Sequence, residues 1–133
     1  MISSRQTNIR STEKFDSVLV EEGIIEIVVK EAVQIEVEDL YLIKEANIEV
    51  MGDRKYCVIV TSHFLSSISK EARELVASKE YSMNTIAKAL IVNSIGQQMV
   101  GNFYLKVNRP HIKTKLFSER NKAIEWLRKQ LNP

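Results

Sequence analysis

A serine followed closely by two basic residues is the first feature of the chain that could support chemistry. Ser69 stands at the start of a segment with helical periodicity, and Lys70 and Arg73 fall within its first turn. A phosphate on this serine would meet free backbone N–H groups, the positive end of the helix dipole and two nearby cations. We therefore expect a phosphorylation or partner-contact site at Ser69, Lys70 and Arg73, with a plain N-cap as the alternative.

A small ligand pocket is the second candidate site. Residues 95–107 are predicted to form a helix that turns Met99 and Phe103 inward, with Asn102 beside them. These three side chains could form the floor of a shallow pocket for a small apolar ligand. The simpler alternative is that they only fill the core.

Metal binding and nucleophilic catalysis need side chains that this chain supplies sparingly. Cys57 is the only cysteine and lies in an apolar run, so we expect a buried thiol without an internal disulfide. His63 and His111 lie far from any Cys, Asp or Glu cluster at ligand spacing. We therefore expect no catalytic residue, no metal site and no cofactor, and a protein that is not an enzyme.

A basic stretch near the carboxyl end raises the question of nucleic-acid binding. Residues 106–115 carry several cations and are flanked by Tyr104 and Phe117, an arrangement that can bind single strands. The sequence pI of about 8.7 is nevertheless below the value of about 9 that is typical of nucleic-acid-binding domains. We expect no nucleic-acid partner.

The scaffold for these residues is predicted to alternate strands and helices. Residues 15–20 and 24–29 are β-rich runs separated by a short gap that contains Gly23, which is typical of an antiparallel hairpin. The hydrophobic pattern then predicts helices and strands in alternation. In chain order these cover residues 37–51, 56–61, 69–79, 87–92, 95–107 and 113–117, followed by an amphipathic helix capped by Ser118.

This order of elements predicts an α/β fold with a mixed five-stranded sheet, an N-terminal hairpin and about four helices. The chain of 133 residues has the size of one domain. Residues 1–12 are polar and without periodicity, so we expect a flexible tail there and a single domain over 13–133. No apolar stretch approaches the roughly 20 residues of a membrane span, and the start lacks a signal-peptide core, so we expect a cytoplasmic location.

Four segments of the chain form a recognisable set. They are Ser-Lys-Glu-Ala-Arg at 69–73, Ala-Leu-Ile-Val-Asn-Ser at 89–94, Gly-Asn-Phe-Tyr-Leu-Lys at 101–106, and Lys-Leu-Phe at 115–117 leading to Ala-Ile-Glu-Trp-Leu at 123–127. These segments resemble uncharacterised bacterial SpoIIAA-like proteins that are common in Bacteroidetes. The order of elements is also that of the STAS domain, the fold of the anti-sigma-factor antagonist SpoIIAA. The resemblance covers roughly residues 15–130 and implies a SpoIIAA/STAS-like sheet.

The resemblance also bears on the serine described first. In SpoIIAA-type antagonists, an Asp-Ser-Ser/Thr-Gly sequence begins the helix, and a partner kinase phosphorylates a serine there to release the anti-sigma factor. The corresponding residues here, 68–71, place Ser69 at about the right position but lack the preceding Asp and the following Gly. This departure argues against the same phosphorylation switch.

The function expected from these observations is a non-enzymatic protein-interaction or regulatory module of SpoIIAA-like type. Its partner would be a protein, either a regulator or a second copy of the chain. Acidic residues predominate over 21–50 and basic residues over 101–133, so copies could match in charge, although two solvated faces are the simpler explanation. The alternative is a small apolar-ligand (lipid-like) binding protein related in layout to SEC14/CRAL-TRIO domains.

Overall fold

A six-stranded mixed sheet organises residues 7–133, the part of the chain that the computed structural model describes. A further pair of short strands, β4 and β6, forms a small separate sheet. The strands are β1 (Thr7–Ser11), β2 (Phe15–Glu21), β3 (Ile24–Val29), β4 (Gln34–Ile35), β5 (Tyr56–Ser62), β6 (Ser67–Ile68), β7 (Thr85–Ile91) and β8 (Lys113–Phe117).

Four α-helices connect or follow these strands within the described residues. Ser69 and Ser94 cap two of them, because each Oγ accepts the backbone N–H three residues later at 3.1 Å. The third helix continues as a π-helical turn, Tyr104–Asn108. The helices are α1 (Val37–Met51), α2 (Lys70–Ala77), α3 (Ile95–Phe103) and α4 (Arg120–Leu131).

The strands of the large sheet lie side by side in the order β1-β2-β3-β5-β7-β8. The first three pair antiparallel and the rest pair parallel. Gly23 turns the chain between β2 and β3 with a φ of 84°, a conformation that strongly favours glycine. The parallel strands need crossover helices, and α1, α2 and α3 supply them.

The two faces of the sheet are covered differently. Alternate residues of β5 point to opposite faces, so Tyr56 and Val58 pack under α1 and α2, whereas Cys57 and Ile59 pack against α4. This explains the unbroken apolar run of β5, because a strand covered on both faces has no solvent side. Three helices therefore share one face, and α4 covers the other alone.

The predicted α/β class, the hairpin and the four helices are confirmed, but the sheet has six strands rather than five. The predicted tail over residues 1–12 is wrong for Thr7–Ser11, which form the edge strand β1. Arg10 of this strand forms ion pairs with two residues of α1, Glu45 at 2.8 Å and Glu49 at 2.6 Å.

Residues 1–6 lie outside the described part of the chain. Within residues 7–133, no helix is long and apolar enough to cross a membrane.

An ion pair joins α4 to the middle of the sheet. The Glu26 carboxylate on β3 is 7% exposed and accepts hydrogen bonds from Arg120 Nη2 and Thr61 Oγ1, both at 2.7 Å. A second pair, between Arg128 and Glu21 at 2.8 Å, lies at the surface. The two pairs involve the same residue types but differ in burial.

We expect Arg120→Ala to lower the free energy of unfolding by about 2 kcal/mol, because it leaves the buried Glu26 carboxylate without its cation. The matched control, Arg128→Ala, should cost less than about 1 kcal/mol, because its partner stays hydrated. Urea unfolding of both variants measures the difference. Equal losses would contradict a special role for the buried pair.

Candidate ligand-binding cavity

The predicted serine site is an N-cap in the structure. Ser69 is half-buried, and its hydroxyl accepts the N–H of Ala72. Lys70 is exposed, whereas Arg73 turns back over the helix start, donates to the Ile68 carbonyl at 3.1 Å and lies 5.5 Å from the ring centre of Phe103. The N-cap alternative is confirmed, and phosphorylation of Ser69 stays a prediction.

An apolar hollow lies between the sheet and the three helices α1, α2 and α3. It has a volume of about 520 Å³. Its floor is the sheet, where Ile27, Val58, Val60 and Leu90 supply apolar side chains from three neighbouring strands. Helices α1 and α2 close it on one side and α3 on the other. A protein interior is normally close-packed, so a space of this size is a feature that needs an explanation.

Helix α3 approaches the sheet at Gly101. A Cβ built on this glycine would lie 2.9 Å from Leu116 Cδ2, so a larger residue would push α3 away from β8. The next turn buries Tyr104. Val100 lines the cavity yet is 55% exposed, which means that the cavity reaches the surface beside α3.

The prediction that Met99, Asn102 and Phe103 line a pocket is wrong. Met99 is 66% and Phe103 is 48% exposed, and Asn102 is exposed as well. At about 100° per residue, side chains two positions from Gly101 point to the opposite side of the helix. Because close approach to Leu116 requires the glycine to face the sheet, the helix turns these residues outward. The residues of α3 and its π-helical continuation that do line the cavity are Gly96, Gln97, Val100, Gly101 and Tyr104.

Lys88 is the functional candidate that the sequence prediction missed. It lies in the centre of β7, opposite Val58 of β5, and is 8% exposed. Its neighbours Ala87 and Ala89 face α4, so the lysine points to the cavity side. The sequence contains a pattern that could have indicated this residue, because a lone lysine interrupts the apolar run Ala87-Lys88-Ala89-Leu90-Ile91. Strands that are covered on both faces rarely carry a charge.

The electrostatic surroundings of Lys88 disfavour its charge. The pKa of its amine is lowered from 10.5 to about 8, chiefly by burial and also by the like charge of Lys44. No carboxylate of residues 7–133 forms an ion pair with it. The Lys44 amine differs, because it donates to the Met83 carbonyl at 2.7 Å and to the Tyr56 hydroxyl at 3.2 Å.

Other polar groups at the cavity also lack partners. Among the described residues, nothing forms a hydrogen bond with the Tyr104 hydroxyl, Arg73 Nε or Asn47 Oδ1, although all three atoms are buried. Burial raises the pKa of Tyr104, which keeps its hydroxyl protonated and able to donate. An apolar hollow with a few polar groups can hold a molecule that has an apolar body and a polar end.

The residues considered for metal or nucleophilic chemistry do not contribute to this site. Cys57 is fully buried on the α4 face, and burial raises the pKa of its thiol to about 11, which keeps it unreactive. His63 and His111 are exposed in separate loops. Within the part of the chain that the structure covers, no three His, Cys, Asp or Glu side chains come close enough to hold a metal ion.

The lowered pKa of Lys88 predicts a pH-dependent stability. The unfolded chain holds this proton up to pH 10.5, whereas the folded chain loses it from about pH 8. The unfolded state therefore binds more protons in this interval, and stability should rise with pH from about 8 to about 10. Lys88→Met should remove that rise, which urea unfolding at several pH values measures. The same rise in Lys88→Met would show that another group causes it.

Comparison with known proteins places the chain in a family and supports its fold. The chain is similar to a crystal structure of an uncharacterised DUF3478-family protein with a SpoIIAA-like fold from Shewanella loihica PV-4. The two share 13% identity and a TM-score of 0.50, over 96% of this chain and 98% of that one. The predicted SpoIIAA-like fold is thereby confirmed.

No curated protein matches the chain. Residues 18–131 match the model of the family described as "Domain of unknown function (DUF7793)", and the chain therefore belongs to this family.

Proposed function

We propose that this protein binds a small molecule with an apolar body in the cavity beneath α1, α2 and α3, and that it acts by binding rather than by catalysis. The observation that carries the proposal is the hollow of about 520 Å³ between the sheet and the helices. Ligand sites in proteins commonly have volumes of about 300–1,000 Å³ and mostly apolar walls. The cavity meets both criteria.

The construction of the walls supports this function. Val58, Val60 and Leu90 belong to adjacent parallel strands, which hold their side chains in fixed positions. Leu40 and Ile43 on α1 face them across the hollow. A site built on strands and helices is already formed before the ligand arrives, so little conformational entropy is lost on binding.

Filling the cavity tests the proposal. We expect one molecule of the neutral fluorescent probe N-phenyl-1-naphthylamine to bind per chain, with increased emission in the apolar space. Val60→Trp, which adds volume on the cavity floor, should weaken this binding by about tenfold or more. Fluorescence titration measures both affinities.

The matched control is Val18→Trp, at a half-buried position of β2 that does not line the cavity. It should bind the probe like the unaltered chain, and circular dichroism verifies that both variants fold. Unchanged binding by Val60→Trp would place the probe elsewhere and contradict the proposal, as would the absence of saturable binding.

A second candidate function, self-association, follows from the outer side of α3. Ile95, Met99, Phe103 and Val107 lie four residues apart along this helix and its π-helical continuation, and each is about half exposed or more. An apolar stripe of this kind is typical of a surface that contacts another protein. The excess of acidic residues over 21–50 and of basic residues over 101–133 favours a second copy as the partner.

Light scattering coupled to size-exclusion chromatography tests this contact. The unaltered chain should form a dimer at high micromolar concentration, and Met99→Glu should return it to a monomer because the charge would have to be buried. Lys79→Glu, in the exposed turn after α2, is the control and should leave the dimer intact. A strict monomer at every concentration would reject self-association and leave the ligand proposal unaffected.

A further inference from the structure

We propose that the ligand is an anionic amphiphile whose carboxylate binds at Lys88 while its apolar chain lies along the cavity floor. This inference rests on the proposed function and adds the chemical class of the ligand. It is drawn from the charges, the burial and the free hydrogen-bonding groups of the cavity.

The charges of the cavity have one sign. Its lining carries three cationic side chains, one each from α1, α2 and β7, namely Lys44, Arg73 and Lys88. No Asp or Glu of residues 7–133 lies among the lining residues. The remaining titratable groups that face the cavity are the phenols of Tyr56, Tyr81 and Tyr104. Burial raises the pKa of Tyr81 and Tyr104, so these two stay neutral at physiological pH.

Of the three cations, Lys88 most needs an anion. Lys44 is satisfied by a carbonyl and a hydroxyl, and Arg73 donates to the Ile68 carbonyl. Lys88 is 8% exposed and pairs with no carboxylate in the described chain. A buried charge without a partner is costly, and an incoming carboxylate would remove that cost.

The free hydrogen-bond donors match the same headgroup. The Tyr104 hydroxyl and Arg73 Nε are buried donors that find no acceptor among the described residues. An ionised carboxylate accepts about four hydrogen bonds and offers no donor, which matches the unpaired donors of this cavity. Asn47 Oδ1 is the exception, because it is an acceptor and would need water or another donor.

The experiment compares two ligands with the same chain and different headgroups. Isothermal titration calorimetry at pH 7 measures the binding of decanoate and of 1-decanol to the full chain. Decanoate should bind at least about tenfold more tightly, because only its headgroup compensates the amine. Lys88→Met should abolish this preference, because decanoate then loses the cation that its headgroup pairs with. Lys70→Met removes an exposed lysine outside the cavity and should behave like the unaltered chain.

The pH dependence gives a second test that needs no variant. An anion binds the protonated amine, so decanoate affinity should be constant from about pH 6, where decanoate is ionised, to about pH 8. Above pH 8 it should fall by up to about tenfold per pH unit until the amine of the complex also loses its proton. Decanol affinity should not follow this curve. A bound carboxylate should also raise the pKa of Lys88, which NMR of the lysine ε-carbons measures.

The possible results separate the two proposals. Equal affinity for both ligands, with no effect of Lys88→Met, would overturn the anionic headgroup and leave the proposed cavity function standing. A preference for decanoate that survives Lys88→Met and shows no fall above pH 8 would overturn the role of Lys88. Failure of both ligands to bind would count against the cavity function itself. If Lys88→Met does not fold, the pH dependence of the unaltered chain decides.

Discussion

The cost of burying one lysine in the middle of a covered sheet governs the arrangement of this fold. Strand β7 lies between two parallel neighbours and has helices on both faces, so its central residues 87–89 are buried. The other β7 residues that line the cavity are uncharged, but Lys88 brings a charge to the face shared by three helices. A charged amine requires space or polar partners there, and the cavity provides the space. The cavity therefore accompanies the buried lysine, because a core packed closely around Lys88 would leave its amine no room.

The two faces of the sheet show what this constraint changes. On the α4 face, the small side chains of Ala87, Ala89 and Ala123 allow the helix to lie close to the strands, and the core there is fully buried. On the opposite face, α3 touches the sheet near Gly101 and leaves the space above Lys88 open. The α4 face is thus closely packed, whereas the face that carries α1, α2 and α3 is packed less closely and encloses an accessible cavity.

Much of this architecture could be predicted from hydrophobic periodicity, and the exceptions have physical causes. Residues 37–51 and 113–117 were predicted with the bounds observed, because strong patterns and clear stop signals agree there. Thr7–Ser11 escaped detection because a polar edge strand needs only one partner and shows no apolar alternation. The orientation of α3 could not be predicted, since apolar residues occur on both of its sides and the contact of Gly101 decides between them. Lys88 was visible in the sequence, but its depth depends on which face each helix covers.

The position of α4 in the chain has a consequence for synthesis. This helix follows all the strands of the sheet, yet it alone covers the face formed by Ile24, Cys57, Ile59 and Ala89. While the ribosome is still making the chain, the strands can assemble in order from the hairpin onward, but that face remains open to water. A nascent chain of this kind exposes an apolar surface until α4 emerges, and during that interval this surface is open to aggregation.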